Sequence, residues 1–333
     1  MIQKCPYKRR LLVATGILLA LCIMALMIGR YPMSHKQLGE VLLGRDTTSS
    51  LYTLVMQIRL PRIGIVVLSG AALSLAGTIY QGIFQNPLVS PDVLGVSSGC
   101  GVGAIIAILF MPHFPHAIQI IAFCGGIIAV VLALMMARIS KDNQLLGLVI
   151  GGIIISSIAS AITMLLKYGA DPYKQLPTIE FWLMGGFYKA NWERFNLIWP
   201  SISLGIVILF ILRWPLNVLA LGEEEAATLG IPVKRIRIIA IGAVTLLVAA
   251  VVSVAGVISW VGLVAPHIVK LLVGSHLEKE MPMSLCVGAI LLLMADTLAR
   301  SLYAAEIPIS VLTTFVGAPF LAHLLYRRGR EKQ

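Results

Sequence analysis

Charge is scarce in this chain. Of 333 residues only 12% are Asp, Glu, Lys or Arg, while 58% are apolar and the mean hydropathy is +0.92. A water-soluble domain of this length cannot hide so much apolar surface, so lipid is expected to be the solvent for much of it. Alternating ten-residue segments are also missing, which argues against a β-barrel. The apolar runs are long and continuous, as in helices that satisfy their own backbone hydrogen bonds. Basic residues outnumber acids, for a net charge of +11, yet no basic stripe is interleaved with aromatics. That excess is read as charge flanking membrane spans, and no nucleic-acid partner is expected.

Other absences narrow the chemistry. Cys22, Cys100, Cys124 and Cys286 lie in apolar runs, Cys5 lies in the basic start, and no C-x-x-C occurs. These are read as small hydrophobes without a disulfide framework. The dipeptide Gly-Lys is absent, so the chain has no Walker A loop to cradle ATP phosphates. No catalytic, cofactor or metal residue is assigned, and driven transport would need a partner or an ion gradient. Of 15 acids only Asp296 lies clearly inside an apolar run. A carboxylate at mid-membrane costs on the order of 2.5–3.5 kcal/mol. A proton relay needs several such groups, so Asp296 is read as a structural partner of Arg300, one helical turn on. Pro266 and His267 are likewise read as structural residues of a span, because no other His, Cys or acid stands nearby at metal-ligand spacing.

What is present is a series of ten candidate spans: 11–28, 63–83, 93–110, 117–137, 144–166, 195–212, 236–258, 261–273, 283–302 and 309–326. The eighth is short against the roughly 20 residues of a full crossing. The first is too long for a typical signal-peptide core and no small-x-small site follows, so it is expected to be retained. The reading is an all-α integral membrane protein, one transmembrane domain over 1–333, with ten transmembrane helices and both termini cytoplasmic. That topology puts 16 of the 26 Lys and Arg inside and 10 outside, the expected sign. The bias is shallow because the outside segments 30–60 and 168–194 are basic. The first should hold a short helix near 34–44, from the Ser34/Gln37 capping pattern, Leu38, Val41, Leu42 and Gly44. The second should hold an amphipathic helix near 176–184. Small residues recur within the spans, among them Gly70, Gly77, Gly99 and Gly103, and suit close helix approach.

The largest polar interruption is 214–237. It carries Glu223, Glu224 and Glu225, then Gly230, Pro232, and the cluster Lys234, Arg235 and Arg237. Gly222 and Gly230 bracket a short helix with its acids at the start, where they complement the helix dipole. Such an element suits docking.

Several motifs recur in one order along the chain: Arg59-Leu60-Pro61-Arg62; Gln85-Asn86-Pro87-Leu88 through Gly95-Val96; Trp182-Leu183-Met184-Gly185-Gly186; Leu219-Ala220-Leu221-Gly222-Glu223 through Leu229-Gly230; Gly262-Leu263-Val264-Ala265-Pro266-His267; Asp296 to Arg300; and Gly317-Ala318-Pro319. In this order and spacing the chain resembles the permease subunit of type II ABC importers, the group serving iron–siderophore, haem and vitamin B12 uptake. The resemblance implies a multi-pass protein of the bacterial plasma membrane. It implies a second permease subunit, two cytoplasmic ABC ATPases carrying ATP and Mg, and an extracytoplasmic substrate-binding protein. It further implies that Arg59, Arg62 and Arg300 face outward to dock the binding protein. The ATPase would engage Leu219, Leu221, Gly222, Glu223, Glu224, Glu225, Ala226, Leu229 and Gly230. An iron–siderophore is the expected cargo, with haem, cobalamin or an oxyanion as alternatives. An ion-coupled secondary transporter is a less favoured reading.

Overall fold

The computed structural model describes residues 7–29, 31, 33–44, 49–138, 144–302 and 306–330, with the backbone alone at 324, 325 and 327–330. Cys5 and Arg30 lie outside the described residues, as do Lys4, Arg45, Lys141 and Lys332 of the charge count. The described chain is helical, with no strand among the described residues. In order the helices are α1 Tyr7–Met27, α2 His35–Leu42, α3 Ser50–Ile83, α4 Val96–Phe110, α5 Ala117–Ala137, α6 Gln144–Tyr168 and α7 Gln175–Met184. They continue with α8 Trp192–Ile211, α9 Arg213–Leu219, α10 Glu223–Thr228, α11 Val233–Ala255, α12 Val261–Val273, α13 Leu277–Ser301 and α14 Ile309–Arg330. Seven of these are long and apolar enough to cross a membrane: α1, α3, α5, α6, α8, α11 and α13. The apolar runs of α4, α12 and α14 are shorter.

The chain divides into two compact units. Unit 1 comprises Met1–Thr78, Gly186–Pro200 and Ser259–Gln333; unit 2 comprises Ile79–Gly185 and Ser201–Ile258. Two of the boundaries fall inside continuous helices, α3 and α8, rather than in linkers.

Within unit 1, glycine lets backbones touch. A Cβ at Gly70 would lie 2.4 Å from the Gly288 carbonyl oxygen, and one at Gly288 would lie 2.2 Å from that of Gly70. α3 and α13 therefore meet main chain to main chain, and Thr78 and Ser284 hydroxyls join them at 2.6 Å. On α12, Pro266 has no N–H to give the Gly262 carbonyl one turn back. A Cβ at Gly77 would lie only 1.7 Å from that oxygen. Gly77→Ala should thus force α3 and α12 apart and lower stability by about 1–3 kcal/mol. Gly16→Ala, with nothing within 4 Å of its Cβ, is the matched control and should be neutral or slightly stabilising. Thermal unfolding of the two purified variants in one detergent measures the difference; equal midpoints would show that the contact yields freely.

The same device builds unit 2. Gly99 and Gly125 face each other across α4 and α5, with a Cβ on either 2.4 Å from the other's carbonyl oxygen. Gly126 packs against Cys100, and Gly152 on α6 against the Val93 carbonyl. Gly185 and Gly256 bring the C-terminal ends of α7 and α11 together.

Two expected boundaries shift. The second span was expected from Ile63, with Arg59 in a loop before it, but helix runs from Ser50. Residues 54–59 form a π-helical turn, and Leu60 N–H bonds back to Val55. The wider turn adjoins Pro61, whose missing N–H already interrupts the ladder. The seventh span was expected from Ile236, but α11 starts at Val233, so Lys234 and Arg235 are helical as well as Arg237. α2 has the full capping box of Ser34 and Gln37, with Leu38 and Val41 buried. The cysteines are not uniformly hidden: Cys100 is buried, Cys22 and Cys286 are half-buried, and Cys124 is exposed.

Candidate functional site

Two constellations gather the residues singled out by sequence. The first is at the α10 end of unit 2. α9 buries Leu216, Val218 and Leu219, and α10 buries Ala226. Gly222 precedes α10, and Glu223, Glu224 and Glu225 fill its first turn, where the helix dipole favours anions. The end of α10 is a Schellman turn. Ile231 N–H bonds to the Ala226 carbonyl and Gly230 N–H to that of Ala227, with Gly230 at φ +75°. Ile231 packs inward and Pro232 then starts α11.

The three acids are not equivalent. Glu223 accepts a hydrogen bond from buried Arg237 of α11, a charge-assisted tie between the two helices. Glu225 folds back over the helix start, so that a Cβ on Gly222 would strike its carboxylate. Glu224 is exposed, and among the described residues it has no ion pair. Leu221 and Leu229 are 72% and 63% exposed. The nine residues expected to contact the ATPase therefore separate. Leu219 and Ala226 are buried, whereas Leu221, Glu224 and Leu229 are exposed.

The second constellation lies in unit 1. Arg62, inside α3, is 8% exposed and spans two carboxylates. Its Nε and Nη2 donate to fully buried Asp296 at 2.8–3.2 Å, and Nη1 and Nη2 donate to Glu306 at 2.9 Å each. Arg300 sits one turn from Asp296 on α13, 3.8 Å away, and donates to the Ala25 carbonyl. Arg59 donates to the carbonyls of Leu26 at 2.5 Å, Met27 at 3.2 Å and Tyr31 at 2.6 Å. All three guanidiniums are occupied within the chain and at most 8% exposed, where the resemblance led to the expectation of outward-facing cations. The expected Asp296–Arg300 pair exists, but Arg62 is the closer partner. Glu306 was not singled out; its one signal was that Arg62 and Arg300 outnumber the single buried carboxylate of Asp296.

Pro266 lies inside α12, and His267 Nδ1–H donates to the Leu263 carbonyl at 2.9 Å, one turn back. Among the described residues no three His, Cys, Asp or Glu could hold a metal ion. Gly95-Val96-Ser97-Ser98-Gly99 has the spacing of a hydrolase nucleophile elbow. Here the Ser97 N–H donates to Asp92 at 2.7 Å as α4 begins, and no strand precedes it.

Residues 17–327 match the family model described as the FecCD transport family. The chain belongs to the FecCD transport family. Among its relatives, the molybdate import system permease protein MolB of Haemophilus influenzae is 39% identical over 98% of both chains. The probable iron chelatin transport system permease of Helicobacter pylori is 36% identical over 92% of this chain and 95% of that one. The hemin transport system permease HmuU of Yersinia pestis is 35% identical over 95% and 96%. A solved structure assigned to a metal-chelate type ABC transporter, in an inward-facing conformation, superposes with a TM-score of 0.87 at 37% identity, covering 96% of this chain and 99% of that one. The FecCD chain is accordingly a membrane-embedded permease subunit of an ABC importer, a family whose permeases lack an ATPase of their own.

Proposed function

We propose that this FecCD permease crosses the membrane ten times with both termini cytoplasmic, and carries a metal chelate inward from an extracytoplasmic binding protein. An iron–siderophore is the chelate we favour, with haem or cobalamin of the same class. ATP and Mg are bound by two cytoplasmic ATPases, and a second permease subunit completes the pathway. The observation that carries the coupling reading is at α10: exposed Glu224, with no ion pair among the described residues, and exposed Leu221 and Leu229, on an element that Glu223 ties to Arg237. Relatives named for iron chelatin and hemin, and the metal-chelate transporter structure, support the cargo class.

For binding-protein docking, the burial of Arg59 and Arg300 suits a bracing role for the ends of α1 and α13. Arg62 is the better candidate for contact, because its partner Glu306 keeps a side chain 29% exposed. A second cargo, an oxyanion, is favoured by one observation, the 39% identity to a molybdate permease over nearly the whole chain.

Reconstitution of the permease with its ATPase and binding protein in vesicles tests this. Radiolabelled ferric siderophore should accumulate in the presence of ATP with all ion gradients collapsed, and molybdate should not. Uptake that follows a gradient and ignores ATP would overturn the importer reading. Molybdate uptake in place of chelate would overturn only the cargo.

A further inference from the structure

At the α10 end of unit 2 a cavity of about 370 Å³ opens between the C-terminal end of α5, the start of α6 and the start of α11. Its size falls within the roughly 300–1,000 Å³ of small-ligand sites. One side is apolar, made of Leu134, Ala137, Leu148, Ile238 and Ile241; the other holds Arg138, Lys234 and Arg237, with Gln144 beside them. Three cations around an oily floor match an amphiphile with an anionic head better than a neutral lipid or a fully polar solute.

Arg237 supplies the independent observation. It is 3% exposed, so its guanidinium has lost nearly all contact with water. Glu223 takes one edge, through Nη2, while Nε is buried and has no hydrogen-bond partner among the described residues. A buried donor left unpaired is costly, and more so on a charged group. Arg138 and Lys234 are exposed at the rim, where they can swing onto a headgroup while their stems cover apolar surface. α11 also begins here, at Val233, so its N-terminus adds partial positive charge. Glu223 is the one carboxylate in contact with these cations among the described residues, and it leaves them a surplus of positive charge.

We infer that this cavity binds the phosphate headgroup of an anionic phospholipid, the phosphate reaching Arg138, Lys234 and Arg237 and the acyl chains lying along Leu134, Leu148 and Ile238. Basic pockets between spans at the membrane surface recognise anionic headgroups in this way. Because Arg237 also grips Glu223, lipid and α10 share one side chain. The inference goes beyond the transport reading and does not depend on it.

Native mass spectrometry of the purified full-length permease, exchanged into either phosphatidylglycerol or phosphatidylcholine, reads the site. The wild type should retain phosphatidylglycerol selectively. Arg138→Gln with Lys234→Gln, both at exposed positions, should lower its retention about tenfold or more. Ile238→Trp, which fills the cavity without altering charge, should give a comparable loss. Equal retention of the two lipids, or unchanged retention in both variants, would overturn the site. Thermal stabilisation by inorganic phosphate equal to that by phosphatidylglycerol would identify a free anion and overturn the lipid assignment.

Discussion

Asp296→Asn is expected to destabilise the folded permease by about 3–5 kcal/mol, the cost of removing one partner from a buried ion pair. Asp296 is fully buried, and Arg62 and Arg300 face it from α3 and α13. Without its charge, Arg62 would keep a single carboxylate partner among the described residues, that of Glu306. Neutralising Glu306 should cost far less, on the order of 1 kcal/mol or below, because its side chain is partly solvated and solvent screens the pair. Unfolding midpoints of Asp296→Asn, Glu306→Gln and the double variant measure this ranking. The double variant should fall short of or exceed the sum of the singles, since both carboxylates act on the same Arg62. Equal effects of the two single substitutions would show that Asp296 is not the centre of the cluster.

The second large effect concerns α10. Glu224→Arg is expected to lower binding-protein-stimulated ATP hydrolysis about tenfold, the size of one lost interfacial anchor of roughly 1.4 kcal/mol. It should leave the melting temperature unchanged, because Glu224 is exposed and makes no ion pair among the described residues. Glu223→Gln should do the reverse in part: it releases Arg237, loosens α10 from α11 and lowers the melting temperature. Stimulated turnover measured in reconstituted vesicles separates the two. Undiminished turnover in Glu224→Arg would remove Glu224 from the ATPase contact, and a drop in melting temperature would mean that its role is internal.

Local signals in the sequence carried much of this architecture. The Ser34/Gln37 capping box of α2 is a short-range arrangement, and so are the Gly222, Gly230 and Pro232 marks around α10; each appears in the structure as read. Each of the ten apolar runs holds a helix, although Ile28, Val93 to Gly95, Leu212, Gly256 to Ile258 and Leu302 fall outside the helical residues. What failed was long-range. Arg59 and Arg62 read as residues outside the second span, whose apolar run starts at Ile63. Their side-chain partners are carbonyls some thirty residues earlier and carboxylates more than two hundred residues later. The inequality of Glu223, Glu224 and Glu225 was equally hidden, since it arises from Arg237 in the next helix and from the fold-back of Glu225.

The tie between Glu223 and Arg237, with the Schellman turn at the other end of α10, has a mechanical consequence. Glu223 ties the start of α10 to α11 through Arg237, and the Schellman turn at its end leads through Ile231 and Pro232 into α11. Any displacement imposed on α10 is delivered to a lever of 23 residues, about 34 Å long, with no slack loop between to absorb the stroke.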